Sequence, residues 1–487
     1  MQVTHVPIVP SDICRTPEHD RKGLTPQLLA TCGARYSRSP EGLDVLLKNA
    51  YEAWVAKGEE GAVNSIFKMV DYGHQSILDL APLAMFMDNL SIWLIYHVFA
   101  LTPTAGGQET STRYVRFTDD GVLDKAMLPA FNEQDMGESF DAHIAECFAF
   151  YGEAEKFWTK LSLERPELIK IPQTLLAQAD DGTELERDKA CKTIDRMRRN
   201  YVFDRARYFL PVAATNNMML VMSARGWMQL CQSLLSDTMP EAVLLGEAIV
   251  AELAVAAPQM TRHAVRKDEV AANIAREFHC LTRMAGHGWS RKEKQRLPGG
   301  CVTPYQAVNA YIEQEDRRND RTLFVNALEG RTNRYSPIGR SLRNTAVRFT
   351  IDAISFAETR DLNRHRTGSK DSLLYPVGFY CALDQVPVNY DASILYEMSL
   401  AMTRRVGDAS RNLVKGYRGY VYFLPLGFQH YFGHLTTGDK FVYETELRTG
   451  LGAHFRYAAH MRVWLQHFYR QFPQTRGLIL EGLAETE

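Results

Sequence analysis

The feature that most constrains how this chain can fold is a pattern that occurs twice. Leu210-Pro211 is followed by two helix-like stretches and then Pro258-Gln259. Leu424-Pro425 is followed by two more and then Pro473-Gln474, at almost the same spacing. Proline fixes its own φ and has no N–H to give, so it marks the starts and ends of helices rather than their interiors. In the first copy, a helix containing Ala224-Arg225-Gly226-Trp227 precedes one over 241–256, with Pro240 at its start and Pro258 beyond its end. In the second, the last helix carries an apolar stripe of Met461, Trp464, Leu465 and Phe468 at 3.6-residue spacing. The shared order of a strand-rich motif, helices, Leu-Pro and two further helices reads as an internal duplication. A chain of 487 residues is also too long for one ordinary core. The segment 286–300, GHGWSRKEKQRLPGG, is charged and flanked by glycine, as a linker would be. The expected domains are therefore 1–265 and 321–487, joined by a linker and lead-in over 266–320.

Two short motifs carry candidate chemistry. The run FTIDAISFAETRDLNRHRTGS over 349–369 begins with the strand-like residues Phe349, Ile351, Ile354 and Phe356, and ends on Arg364-His365-Arg366 and the breaker Gly368-Ser369. Two guanidiniums flanking an imidazole suit a planar anion such as a nucleotide, a phosphate or a flavin ring edge; a solvated basic face is the other reading. The run QETSTRYVRF over 108–117, if extended, puts Glu109, Ser111 and Arg113 on one side, offering an acceptor, a hydroxyl and a guanidinium. An exposed polar strand would look the same.

Composition narrows the partners. Lysine and arginine total 56 against 58 acidic residues, a net charge of −2, so no global field favours nucleic acid or an acidic membrane. The apolar run 77–101 contains Asp79, Asp88 and His97, which reads as core rather than a bilayer span. Eight cysteines without a CxxC pair fit buried thiols in a reducing compartment, and the first residues lack a basic-then-apolar leader, so a cytoplasmic protein is expected. His430 and His434 stand i, i+4 without the acid of HExxH or a third ligand, so no metal site is expected. No P-loop, GxSxG or GxGxxG stands in context.

The motifs resemble those of the flavin-dependent thymidylate synthases, the ThyX family, and do so in both halves. Arg364-His365-Arg366 with Ser369 resembles the family's RHR motif at the flavin and nucleotide. Tyr72-Gly73-His74-Gln75-Ser76 is similar to its Gly-His-x-Ser segment bordering the flavin, with Asp79 at the position of an acidic residue. Gln108-Glu109-Thr110-Ser111-Thr112-Arg113-Tyr114 is similar to its Glu-x-Ser-x-Arg-Tyr run. Arg207 matches an arginine near the substrate phosphate, Arg225 one near the flavin, and Arg448 the arginine that polarises the pyrimidine. His454 is a weaker match to a polar helix residue. The departures are complementary. The first half has Tyr96-His97-Val98 where RHR belongs and Ser233-Leu234 where the polarising arginine belongs. The second half lacks the Glu-x-Ser-x-Arg-Tyr run, has Val421 at the position of the phosphate arginine, and has Asp361 in place of the usual glutamine before RHR.

This resemblance implies an α+β fold of two ThyX-like domains in tandem, each a helical layer with a small antiparallel sheet. It implies an enzyme that reductively methylates C5 of a pyrimidine nucleotide, dUMP to dTMP, with FAD as cofactor and with NADPH and methylenetetrahydrofolate as co-substrates. Arg448 would be catalytic. Gln108, Glu109, Ser111, Arg113, Tyr114, Arg207 and Asp361 would bind the nucleotide, and His74, Ser76, Arg225, Arg364, His365, Arg366 and Ser369 the flavin. Family members are homotetramers with sites between subunits, so a homodimer of this chain would imitate the tetramer, each pocket forming where unlike lobes meet. Two alternatives stand beside this reading: a related flavoenzyme acting on another pyrimidine nucleotide, and a non-catalytic nucleotide-binding assembly protein of the same fold.

Overall fold

The computed structural model describes residues 1–6, 25–37, 39–40, 43–71, 75–132, 134–292, 311–314, 322–450 and 452–482. The mixed helical and antiparallel character expected from the sequence is present. The chain divides into two compact units, and they do not follow the two chain halves. The first contains residues 1–110, 121–135 and 215–279; the second contains 111–120, 136–214 and 280–487.

The first unit holds a four-stranded antiparallel sheet. Its strands are β1 (Gln2–Val6), β2 (Pro82–Ser91), β3 (Gly106–Glu109) and β4 (Thr215–Ser223), in the order β1-β2-β4-β3. Helices Ile92–Leu101, Ala224–Leu235 and Pro240–Ala256 belong to the same unit. Trp227 is fully buried there and its indole N–H donates to Leu83 O at 3.1 Å, so the helix after β4 is pinned to β2. Helix Leu43–Asp71 is broken at Gly58, where φ is +69°. Only glycine takes that backbone conformation without penalty.

The second unit repeats the topology. Strands β5 (Tyr311–Gln314), β6 (Thr345–Ser355), β7 (Ser369–Phe379) and β8 (Phe428–Thr437) form an antiparallel sheet in the order β5-β6-β8-β7. The correspondence extends to an irregularity. Between Met87 and Leu90, two residues of β2 stand opposite one residue of β4; between Ile351 and Ile354, two residues of β6 stand opposite one of β8. Such a bulge shifts the alternation by one residue. Val347, Phe349 and Ile351 face the core, and after the bulge Ile354 resumes it. In each sheet the first re-paired residue is followed by a serine whose hydroxyl caps the next helix: Ser91 accepts from Leu94 N, and Ser355 from Glu358 N. Phe356, read as part of the strand, is instead the first residue of helix Phe356–Asn363.

Helices Gly137–Glu164, Glu184–Ala206, Ser393–Val414, Gly438–Thr449 and Phe455–Gln471 complete the second unit. The two Leu-Pro segments lie side by side within it. Val212 N–H donates to Leu424 O at 2.8 Å and Leu426 N–H to Leu210 O at 2.7 Å, with Pro211 opposite Pro425 in an antiparallel bridge. Each segment gives the other the same hydrogen bond it receives, which is the form of a two-fold contact. Gly427 is required beside this bridge, because a Cβ there would lie 2.3 Å from Tyr380 O.

The stripe Met461, Trp464, Leu465 and Phe468 is buried as its spacing predicts, in one cluster with Val347, Phe349 and Phe441. Phe349 stacks on Trp464 with ring centroids 4.9 Å apart. Replacing Trp464 by alanine removes a ring at the centre of this cluster. We expect a loss of about 3–5 kcal/mol in urea unfolding, against under about 1 kcal/mol for an exposed position such as Val388.

Candidate functional site

The site is assembled where the end of helix Glu184–Ala206 meets the end of helix Phe356–Asn363. The first helix continues into a 3₁₀ turn over Arg207–Phe209, and its last residues present Asp204 and Arg207. The second starts with a capping box in which Ser355 and Glu358 satisfy each other's backbone N–H groups. It ends at Arg364, so Arg364-His365-Arg366 lies at a helix C-terminus, where cations complement the exposed carbonyls. Arg366 donates there to Asn363 O at 2.8 Å. The chain then passes through Gly368, with φ +70° and no room for a Cβ against Leu435 O, into β7.

Two ion pairs hold the centre. Arg113 donates from Nε and Nη2 to the two oxygens of Asp204 at 2.7 and 2.9 Å, and from Nη1 to Gly452 O at 3.0 Å. Arg207, fully buried, donates to Asp361 Oδ2 at 2.9 Å and to Thr112 Oγ1 at 3.4 Å. Burial works against ionisation of Asp361. Arg207 first, then Arg364 and Arg113, outweigh it and hold the carboxyl below the usual carboxylate range. Asp204 is likewise depressed, by Arg113 above all, against the cost of its burial. His454 lies over the same group with Nε2 3.2 Å from Asp204 O, and burial followed by Arg207 lowers its pKa to about 3, so it is neutral.

Arg448 approaches from helix Gly438–Thr449. Its Nε donates to His365 Nε2 at 2.7 Å, and its guanidinium lies over the Tyr457 ring at 4.9 Å. Burial and then Arg448 push the His365 pKa well below its ordinary value. The ring is therefore neutral, with Nε2 as the acceptor and the proton on Nδ1.

Behind the RHR turn lies a second group of titratable side chains. Lys370 donates to His365 O and, at 3.2 Å, to Thr367 O; burial brings its pKa down to about 8. The Thr367 hydroxyl donates to Glu444, and His434 Nε2 lies 3.4 Å from the other oxygen of that carboxyl. Burial raises Glu444 to about 7 despite the Thr367 hydrogen bond and Lys370. His434, lowered to about 3, is neutral.

Residues 25–259 match the family model described as thymidylate synthase complementing protein. This match spans just under half of the chain. It places the chain among methyltransferase-type enzymes. The ThyX match contains Arg113, Arg207 and Arg225 and ends before Arg364 and Arg448. Among solved structures, one similar chain is a UMP/dUMP methylase PolB from Streptomyces cacaoi bound with 5-Br dUMP. It is 13% identical, with a TM-score of 0.31, and the similarity covers 54% of this chain and 94% of that one. No curated protein matches.

Of the residues the ThyX resemblance singles out, the second unit brings Arg113, Arg207, Asp361, Arg364, His365, Arg366 and Arg448 together. Ser111 and Tyr114 sit in the same unit, on a turn closed by Tyr114 N–H donating to Ser111 O at 3.2 Å. The segment 111–114 is thus a turn and not an extended strand, and the single polar face expected of Glu109, Ser111 and Arg113 does not form. Its Ser111 hydroxyl accepts from Arg113 N instead, at 3.2 Å. Ser369 is exposed at the start of β7. Gln108 and Glu109 belong to the first unit, on β3. So do Ser76, which is exposed, and Arg225, which donates to Asp79 Oδ2 at 3.0 Å. His74 lies outside the described residues. His430 and His434 are on strand β8, both buried, and among the described residues no His, Cys, Asp and Glu group has metal-binding geometry. No helix of the described residues is long and apolar enough to cross a membrane.

Sequence reading passed over Asp204, Lys370 and Glu444. Asp204 stands one helical turn before Arg207, and Glu444 one turn before Arg448, spacings that place each beside its arginine on one helix face. Those offsets were the available signal.

Two outcomes test this geometry. Asp361→Ala strands a buried guanidinium, and we expect it to cost about 3–5 kcal/mol in chemical unfolding, with Arg207→Met/Asp361→Leu costing clearly less. Glu444 binds its proton more tightly when folded, so its contribution is complete below about pH 4.5 and is lost as pH rises through about 7. Urea unfolding of Glu444→Gln relative to the native chain should therefore show the variant gaining about 3 kcal/mol between pH 4.5 and 8. A constant difference across that range would contradict the assignment.

Proposed function

We propose that the protein catalyses flavin-dependent reductive methylation at C5 of a pyrimidine nucleotide, dUMP to dTMP, with methylenetetrahydrofolate and NADPH as co-substrates. The observation that carries this reading is the meeting of unlike lobes. Arg113 and Arg207 come from the family-matched half, Asp361, Arg364, His365, Arg366 and Arg448 from the other, and the Arg207–Asp361 bond joins the sets. Complementary halves of one constellation argue against decay of an inactive protein.

The donor set of the 364–369 turn fits FAD. Arg364 and Arg366 are half-buried, Ser369 is exposed, and the turn is basic at a helix end, which suits an anionic cofactor with a flat ring. Arg364, Arg366 and Ser369 would hold it; the cofactor would supply hydride. Everything else is positioning and electrostatics by the chain itself. Arg448 has its Nε committed to neutral His365 and so is fixed in direction. With Nη2 directed at Asp361 O at 3.5 Å, its Nη1 N–H groups would face the pyrimidine carbonyl and stabilise negative charge that develops on the ring. Ser111 and Tyr114 would contact the nucleoside.

Asp361 favours a second reading, a related enzyme with a different pyrimidine nucleotide. The carboxylate that stands where the family has glutamine accepts from Arg207 and cannot donate to a base carbonyl as an amide would. The matching strand orders, the shared bulge and the reciprocal Leu-Pro hydrogen bonds support descent of the two halves of the chain from one ancestor, the second reaching back to β5 at Tyr311–Gln314, with a homodimer as the working assembly. A cytoplasmic site of action accords with the nucleotide and folate substrates.

Purified protein loaded with FAD and reduced by NADPH should reoxidise on addition of methylenetetrahydrofolate and nucleotide. Comparing dUMP, UMP and dCMP separates the two substrate readings. Arg448→Ala should lower turnover about 10²–10³-fold; unchanged turnover and nucleotide binding would refute its role.

A further inference from the structure

The arginines assigned to the substrate phosphate by resemblance are both spent on carboxylates inside the fold. Arg113 is bidentate to Asp204 and Arg207 is bonded to Asp361. Uncompensated positive charge lies elsewhere in the same unit. A cavity of about 690 Å³ is lined by Tyr114, Arg116, Arg196, Arg199, Asn200 and Phe203. That volume is in the range of small-molecule sites.

Its lining is divided by chemistry. Arg196 and Arg199 stand i, i+3 on helix Glu184–Ala206 and so share a face. Both are exposed, and neither has an ionic or hydrogen-bonding side-chain partner among the described residues. Arg116, by contrast, donates from Nε and Nη2 to Glu155 Oε2 at 3.2 and 2.9 Å. Phe203 and Tyr114, which has the Arg113 guanidinium over one face at 5.4 Å, add aromatic surface, and Asn200, mostly buried, offers an amide that can both donate and accept. Two free guanidiniums, two rings and one amide make a recognition set for a phosphorylated aromatic molecule. The cavity residues also adjoin the ion pairs in sequence. Tyr114 follows Arg113, and Phe203 precedes Asp204.

We infer that this cavity binds a nucleoside phosphate, with its phosphate on Arg196 and Arg199 and its base against Tyr114 or Phe203. The inference borrows from the proposed function only the expectation that a nucleotide is the ligand. It places the phosphate on the outer face of the helix and leaves Arg113 and Arg207 as the ionic frame beneath it.

Isothermal titration of the full chain with dUMP and with ATP tests this without any turnover. At least one of the two should bind, and Arg196→Glu/Arg199→Glu should weaken that binding about ten-fold or more. The control Arg187→Glu/Lys189→Glu makes the same change of net charge at exposed positions of the same helix. It should alter binding by about two-fold or less. Deoxyuridine, which lacks the phosphate, should bind about ten-fold or more weaker than dUMP and be indifferent to the double variant. The inference is overturned if neither nucleotide binds, if the Arg196/Arg199 variant binds as the native chain does, or if the control loses as much. Failure of the methylation reading is a separate result: no nucleotide-dependent flavin reoxidation, with Arg196- and Arg199-dependent binding intact.

Discussion

The buried bond between Arg207 and Asp361 is the contact on which the candidate site depends. Arg207 reaches it from the end of one long helix and Asp361 from the short helix that delivers the RHR turn. Neither charge is tolerable alone at that depth, so the pair fixes the two helix ends against each other with little latitude. Arg364 and Arg113 act on Asp361 through the same field. His454 is kept neutral first by its burial and then by the cations beside it, Arg207 and Arg113. Orientation of Arg448 is then set from the other side, by neutral His365.

Much of the architecture was legible in the sequence because it is written in local signals. The prolines bounded the helices they were expected to bound, and the stripe from Met461 to Phe468 is the face that packs. The RHR cluster was visible as composition alone. Less legible was anything set by contacts distant in sequence. The bulge at residues 352–353 shifts the strand phase, so alternation alone could not show where β6 ends and that Phe356 opens a helix. The run after Glu109 has strand-like spacing, but the Ser111 hydroxyl binds the backbone two residues on and turns the chain.

The ion-pair partners were hidden for a related reason. An arginine in a sequence announces a charge and not its destination. Arg113 and Arg207 read as free anion-binding groups. The partners lie 91 and 154 positions away along the chain, beyond any periodicity argument. Arg196 and Arg199 stand in a helix rich in charge, where a solvated face is the ordinary expectation. What distinguishes them is a cavity that only the folded chain creates.

The reciprocal hydrogen bonds between the two Leu-Pro segments carry a consequence for how such a chain can change. In an assembly of identical subunits, a substitution at a two-fold contact appears on both sides of the axis at once and must suit both. Here the two sides are different codons of one gene, and the tether keeps them together at any protein concentration. Under the duplication proposed above, each side is free to specialise: one can surrender a guanidinium to valine at position 421 while its counterpart keeps Arg207.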